Sequence, residues 1–210
     1  MYDQRVKDET QLDVTAFVLA GGKSSRMGSD KAFVRLGGET LLGHGLKVAA
    51  AVAGEVRIVG DAKKFAAFGQ VVEDVYRDRG PLGGIHGALS SSATELNLIL
   101  AVDLPFVDAE FLKYLLLRAR ESGAMVTVPA AGGGLQPLCA AYQRGFAGVA
   151  GESLRDGRNK IDSLFERIAT CVIEEDELVQ AGFSVAMFRN LNTPEELKQA
   201  RSLHFGRGAE

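Results

Sequence analysis

Three glycines, Gly21, Gly22 and Gly28, and three cations, Lys23, Arg26 and Lys31, follow directly on the apolar run 16–20. Glycine lets the backbone come close to an anion and aim N–H groups at it, and nearby cations offset the charge those groups hold. The chemistry this suits is phosphate binding at the end of a buried strand. Two familiar phosphate loops are excluded by spacing. Gly22-Lys23-Ser24 has the ending of a Walker A loop, but the glycine required five residues earlier is Phe17, and no G-x-G-x-x-G occurs.

A second group of residues carries the opposite charge. Asn97-Leu-Ile-Leu-Ala-Val-Asp103 is a continuous apolar run ending in an acid, the pattern of a central parallel strand buried on both faces. Between these two, residues 74–87 form another glycine-dense loop with its own cations, Arg77 and Arg79. Each of these groups follows a strand. In an open α/β sheet the ligand crevice lies outside the carboxyl ends of the strands, so the loops at 20–31 and 74–87 and Asp103 should converge there.

The elements that must position them read as alternating strands and helices. Strands are expected at 15–19, 55–59, 70–73, 97–103, 125–129, 135–142, 170–173 and 188–190. Residues 32–36 suit a short extended piece before the turn at Gly37 and Gly38. Thr40 suits the cap of a helix to about residue 53, and His44 within it is read as structural. Further helices are expected at 61–68, at 83–91 behind Pro81, at 109–121 capped by Asp108, at 146–155, at 160–168, and after Pro194 with Thr193 as cap. Residues 130–134 read as a flexible loop. This order predicts an α/β fold, a three-layer αβα sandwich around a Rossmann-like, mainly parallel sheet in which the strand at 135–142 runs antiparallel. The expected organisation is a flexible extension at 1–13, a single domain at 14–204 and a tail at 205–210.

The chain has 210 residues, 46% apolar and 24% charged, with a net charge of −3. That balance argues against a nucleic-acid-coating surface. No apolar stretch approaches the ~18 residues needed to span a bilayer, and a cytoplasmic location without a membrane partner is expected. Cys139 and Cys171 sit in apolar contexts and read as free thiols.

The match from Leu19 to Lys31, Leu-Ala-Gly-Gly-Lys-Ser-Ser-Arg-Met-Gly-Ser-Asp-Lys, resembles the signature of nucleotidyltransferases that move a nucleoside monophosphate from an NTP. Joining an acceptor phosphate to the α-phosphorus brings two charged groups together, which calls for cations, oriented N–H groups and Mg²⁺. Asp103 is the metal-ligand candidate, since a hard oxygen ligand that leaves waters on the ion suits magnesium. Arg26 and Lys31 would offset the charge of the triphosphate and its leaving pyrophosphate. The acceptor phosphate is itself the attacking group, so no serine, cysteine or histidine nucleophile is needed.

Glu73-Asp74, Gly80-Pro-Leu-Gly-Gly84, Val102-Asp-Leu-Pro105, Gln136-Pro-Leu138 with Tyr142, and Asn190-Leu-Asn-Thr-Pro-Glu-Glu196 extend the likeness. Over 15–200 the chain is similar to the molybdenum cofactor guanylyltransferases. The resemblance implies the nucleotide-diphospho-sugar transferase-like fold, with GTP and molybdopterin as substrates and molybdoenzymes or their chaperones as receivers of the product. It implies that Leu19, Ala20 and Gly21 line the guanine nucleotide pocket, that Lys31 binds the phosphates, that Asp74 contacts the nucleotide, and that Asp103 holds Mg²⁺ and GTP. Gly22, Arg26, Asn190 and Asn192 fall on the active-site and pterin side. Asn190 and Asn192 also suit turn chemistry before the last helix. Some members carry an asparagine nucleotide contact after the second strand, where this chain has Val59-Gly60-Asp61; that role is not carried over.

Base choice stays open at this level, because backbone contacts leave no side-chain signature. A molybdopterin cytidylyltransferase or a sugar-phosphate nucleotidyltransferase is the alternative. A nucleotide-sugar glycosyltransferase would normally carry D-x-D, which is absent here. A non-catalytic nucleotide carrier would have no use for Asp103 together with Lys31 and Arg26.

Overall fold

A computed structural model describes residues 13–21, 30–73, 76, 79–191 and 196. In chain order the elements begin with strand β1 (Val14–Leu19), a 3-10 turn (Lys31–Phe33) and the two-residue strands β2 (Arg35–Leu36) and β3 (Glu39–Thr40). Helix α1 (Leu41–Ala50) and strand β4 (Glu55–Val59) follow, then α2 (Ala62–Phe65), β5 (Val71–Val72), α3 (Pro81–Ser91), β6 (Leu96–Ala101) and α4 (Ala109–Ser122). The second half contains β7 (Val126–Ala131), β8 (Gly134–Leu135), β9 (Cys139–Gln143), α5 (Phe146–Arg155), α6 (Asp162–Phe165), β10 (Thr170–Ile173), α7 (Glu175–Gln180) and a 3-10 turn at Val185–Phe188.

The main sheet runs β10-β7-β9-β6-β1-β4-β5, with β8 paired to β7. β5, β4, β1 and β6 are mutually parallel, as are β7 and β10, while β9 is antiparallel to both β6 and β7. The sheet is thus mainly parallel, with β9 reversed at 139–143 where the sequence reading expected an antiparallel strand. β2 and β3 form a separate hairpin ahead of α1.

The period-two alternation of each strand builds two cores. Val14, Ala16 and Val18 of β1 and Leu98 and Leu100 of β6 face the layer that holds α1 and α4. Phe17, Leu19 and Ile99 point the other way, onto α3 and α5. Every residue of β1 is buried, so its run of apolar side chains serves both layers, as a strand covered on both faces requires. At the amino end of β6, fully buried Asn97 is satisfied by the Thr94 and Glu95 carbonyls and accepts from Ser92 Oγ.

Local signals set most element starts. Thr40 accepts from Gly43 N–H, Asp61 from Lys63 N–H and Asp108 from Phe111 N–H, each satisfying a donor that the first helical turn leaves unpaired. Several expectations change. Helix α3 starts at Pro81 rather than 83, because proline needs no N–H partner in the first turn. Residues 130–134 form a tight hairpin, in which Ala131 pairs with Gly134 and the two connecting residues, Gly132 and Gly133, both have positive φ (61° and 79°). The expected strand at 135–142 is split, since the chain turns at Pro137 and Leu138, closed by Cys139 N–H on Gln136 O at 2.9 Å. The expected strand at 188–190 does not form: Phe188 ends the 3-10 turn, which Ser184 caps at Ala186 N–H and which buries Met187 and Phe188, the latter edge-on to Phe111. Helix α7 had no counterpart in the sequence reading, and the expected helix at 160–168 covers only α6. The helix after Pro194, the extension at 1–12 and the tail at 205–210 lie outside the described residues, apart from Glu196. Among the described residues no helix is long and apolar enough to cross a membrane.

Candidate active site

The carboxyl ends of β1, β4 and β6 meet at the point where the chain order of the sheet reverses. β1 connects to β4 on one side, and β6 lies on the other. Beyond β1, Ala20 N–H and Gly21 N–H both donate to Val59 O at 3.0 Å, tying the chain toward β4. On the opposite flank Val102 N–H donates to Leu19 O at 3.1 Å, while on the β4 side Gly60 N–H donates to Val72 O at 3.0 Å at the end of β5. Leu19, Ala20 and Gly21 therefore sit at the centre of the edge.

Two glycine backbones lie together there. A Cβ on Gly21 would stand 3.4 Å from Gly60 Cα, and a Cβ on Gly60 would stand 2.7 Å from the Phe65 ring. At Gly21 and Gly60 the edge between β1 and β4 therefore carries no side chain of its own. It can present backbone groups to a flat ligand.

Residues 22–29 lie outside the described residues, and with them Gly22, Lys23, Arg26 and Gly28. The chain is described again from Asp30. Its carboxylate accepts from Ala32 N–H at 3.2 Å and from Lys64 Nζ at 3.0 Å. That bond holds the Lys64 ammonium above the ordinary lysine pKa, with the Asp30 charge adding to it. Phe33 packs on Phe65 and Phe68 at centroid distances of 5.7 and 5.6 Å. The segment that carries Lys31 is in this way fastened to α2.

Lys31 Nζ donates to Asp103 Oδ2 at 3.0 Å across 72 residues of sequence, and the two side chains keep 19% and 21% of their exposure. Asp103 stands in the turn after β6. Its carbonyl accepts from Leu191 N–H at 3.1 Å, which brings exposed Asn190 to the same end of the sheet. Asp74 and Asn192 are outside the described residues.

On the β9 side, Ala101 N–H donates to Leu138 O at 2.7 Å, Gln136 Nε2 to Ala131 O at 3.1 Å and Tyr142 Oη to Pro137 O at 2.8 Å. Gln136 and Tyr142 thus shape the turn beside Ala101 through the backbone. A cleft of about 30 Å³ between Leu36, Glu39, Thr40, Leu41, His44 and Pro105 lies near the turn after Asp103. His44 Nδ1 is 3.1 Å from Glu39 Oε1.

A partly exposed carboxylate at the carboxyl edge, next to a lysine, can ligate a hard cation. Among the described residues no three His, Cys, Asp or Glu side chains are grouped to hold a metal. A magnesium ion fits such a donor set, because it keeps several waters and takes phosphate oxygens alongside one or two carboxylates. A zinc site, which needs three or four protein ligands, does not fit it.

The sequence reading placed Lys31 and Asp103 in the site without foreseeing that they touch. It assigned no role to Asp30, although the Asp-Lys pair stands in the quoted motif. The Lys64 partner and the Leu191 to Asp103 link had no local signal at all.

This architecture is that of nucleotidyltransferases with the nucleotide-diphospho-sugar transferase fold. A family model described as a MobA-like NTP transferase domain matches residues 16–171. The chain belongs to that family and is a nucleotidyltransferase. It is 36% identical over 193 residues to a probable molybdenum cofactor guanylyltransferase of Pelotomaculum thermopropionicum, covering 90% of this chain and 93% of that one. A molybdenum cofactor guanylyltransferase of Syntrophotalea carbinolica is 30% identical over 189 residues, covering 89% and 90%. Among solved structures, molybdopterin-guanine dinucleotide biosynthesis protein A from Archaeoglobus fulgidus superposes with a TM-score of 0.79 at 26% identity, covering 90% of this chain and 98% of that one.

Proposed function

We propose that the protein transfers GMP from GTP to the terminal phosphate of molybdopterin carrying molybdenum, yielding the guanine dinucleotide cofactor and pyrophosphate. The observation that carries this reading is the contact of Lys31 with Asp103 at the carboxyl edge of β1 and β6, beside a strand end stripped of side chains at Gly21 and Gly60. The names of the relatives support the choice of guanine and of the pterin acceptor.

In this reading the backbone of Leu19, Ala20 and Gly21 receives the guanine nucleotide, with Asp74 as a further contact. Lys31 and Arg26 bind the phosphates. Asp103 would hold Mg²⁺, which supplies charge neutralisation at the triphosphate. Gly22, Asn190 and Asn192 would face the acceptor. An oxygen of the acceptor phosphate forms a bond to the α-phosphorus as the bond to the bridging oxygen of pyrophosphate breaks, with no covalent intermediate on the protein. The protein contributes alignment and fixed positive charge, which are the main catalytic resources for phosphoryl chemistry. The enzyme would act in the cytoplasm, and its product would pass to molybdoenzymes or their chaperones.

Thermal unfolding with Mg²⁺ and each of GTP, ATP, CTP and UTP tests the base, since a ligand that binds only the native state raises its stability. Selective stabilisation by GTP is expected. Selective stabilisation by CTP would move the assignment to a cytidylyltransferase, and no response to any nucleotide would overturn the reading.

A further inference from the structure

The two groups to which the proposed function gives separate ligands are bonded to each other. Lys31 Nζ lies 3.0 Å from Asp103 Oδ2, and the two side chains retain only 19% and 21% of their exposure. Among the described residues no group of three metal-ligating side chains surrounds the carboxylate to compete with the lysine. An ammonium this near repels a divalent cation and occupies one of the oxygens the cation would take. A triphosphate changes both terms. It offers the lysine a stronger anion and offers the cation additional oxygens.

We propose that Lys31 keeps Asp103 closed to a divalent cation until a triphosphate draws the lysine away, so that metal and nucleotide enter as one unit. Lys31 is then a positioning residue for the metal ligand as well as a phosphate contact. The anchoring of its segment through Asp30 to Lys64, at 3.0 Å, aims the lysine at Asp103. The inference rests on the reading of Asp103 as the metal ligand.

The test is a titration of the full-length protein with manganese chloride, following free Mn²⁺ by electron paramagnetic resonance, without nucleotide and with GTP. Wild type, Lys31→Met, Asp103→Asn and the double variant are compared. Without nucleotide, Lys31→Met is expected to bind Mn²⁺ about tenfold more tightly than wild type, because a charge pair of partial exposure is removed along with direct repulsion of the ion. The double variant should lose that gain. With GTP, wild type should bind Mn²⁺ more tightly than either GTP or the protein binds it alone. Equal affinity of wild type and Lys31→Met without nucleotide would overturn the proposal. The underlying reading fails separately if Asp103→Asn binds Mn²⁺ with GTP as tightly as wild type does. Lys31→Gln, which keeps a hydrogen-bond donor without the charge, takes the place of Lys31→Met if that variant does not fold.

Discussion

Replacement of Asp103 by alanine separates the fold from the chemistry. Among the described residues the carboxylate makes one side-chain bond, to Lys31, at partial exposure, whereas the Asp103 carbonyl bond to Leu191 N–H belongs to the backbone and survives the change. An ion pair of this kind contributes about 1 kcal/mol or less. For a chain of this size 1 kcal/mol corresponds to roughly 2–4 °C in Tm. Loss of an electrostatic group aimed at developing charge, by contrast, costs about 10²–10³ in rate, and more where a metal ligand is lost with it. Asp103→Ala should therefore melt within a few degrees of wild type while turnover disappears. The assay pairs thermal unfolding with pyrophosphate release over a range of Mg²⁺ concentrations, with Asp103→Asn as the isosteric companion. Mg²⁺-dependent turnover within tenfold of wild type would refute the assignment. A fall in Tm above ~10 °C would refute the argument that the side chain is not structural.

Three further outcomes follow from particular contacts. Gly60→Ala places a methyl group 2.7 Å from the Phe65 ring; the overpacking should cost about 1–3 kcal/mol, read as a lower urea midpoint at unchanged m-value. Lys64→Met removes the partner of Asp30 and loosens the segment that carries Lys31; since Lys64 is largely exposed, stability should change by less than ~1 kcal/mol while the KM for the nucleotide rises. The Glu177 carboxyl is held below its ordinary value of 4.5, first by the hydrogen bond from Arg118 and then by that from Tyr114. Its folded pKa is depressed, so the stability it contributes is present above pH 4.5 and is lost as pH falls through the lower folded value. Wild type should exceed Glu177→Gln in urea stability by about 1 kcal/mol or less at pH 7, with the gap closing below pH 4.5; a gap that widens in acid would contradict the sign.

Much of the architecture was legible because its causes are local. The run through Leu98, Ile99 and Leu100 has the pattern of a strand covered on both faces, and the structure covers it so. Thr40, Asp61 and Asp108 announce helix starts because a side-chain oxygen two or three residues before an unpaired N–H is a sequence-level arrangement. The reading went astray where two local answers are nearly equal. Phe188 and its neighbours have strand-like composition, and burial against Phe111 selects a 3-10 turn instead. The glycines after Ala131 suit a flexible loop as well as a tight hairpin, and the pairing of Ala131 with Gly134 decides between them.

The sequence by itself therefore determined the alternation of elements, the glycine loop after β1 and the acid just beyond β6, since propensity, capping and period act over a few residues. Tertiary structure alone decided that Lys31 meets Asp103, that Lys64 secures Asp30 and that the backbone at Leu191 closes on Asp103. Those contacts depend on the strand order β6-β1-β4-β5 and on its register. Sheet order is a property of how whole elements pack, and no short stretch of sequence carries it.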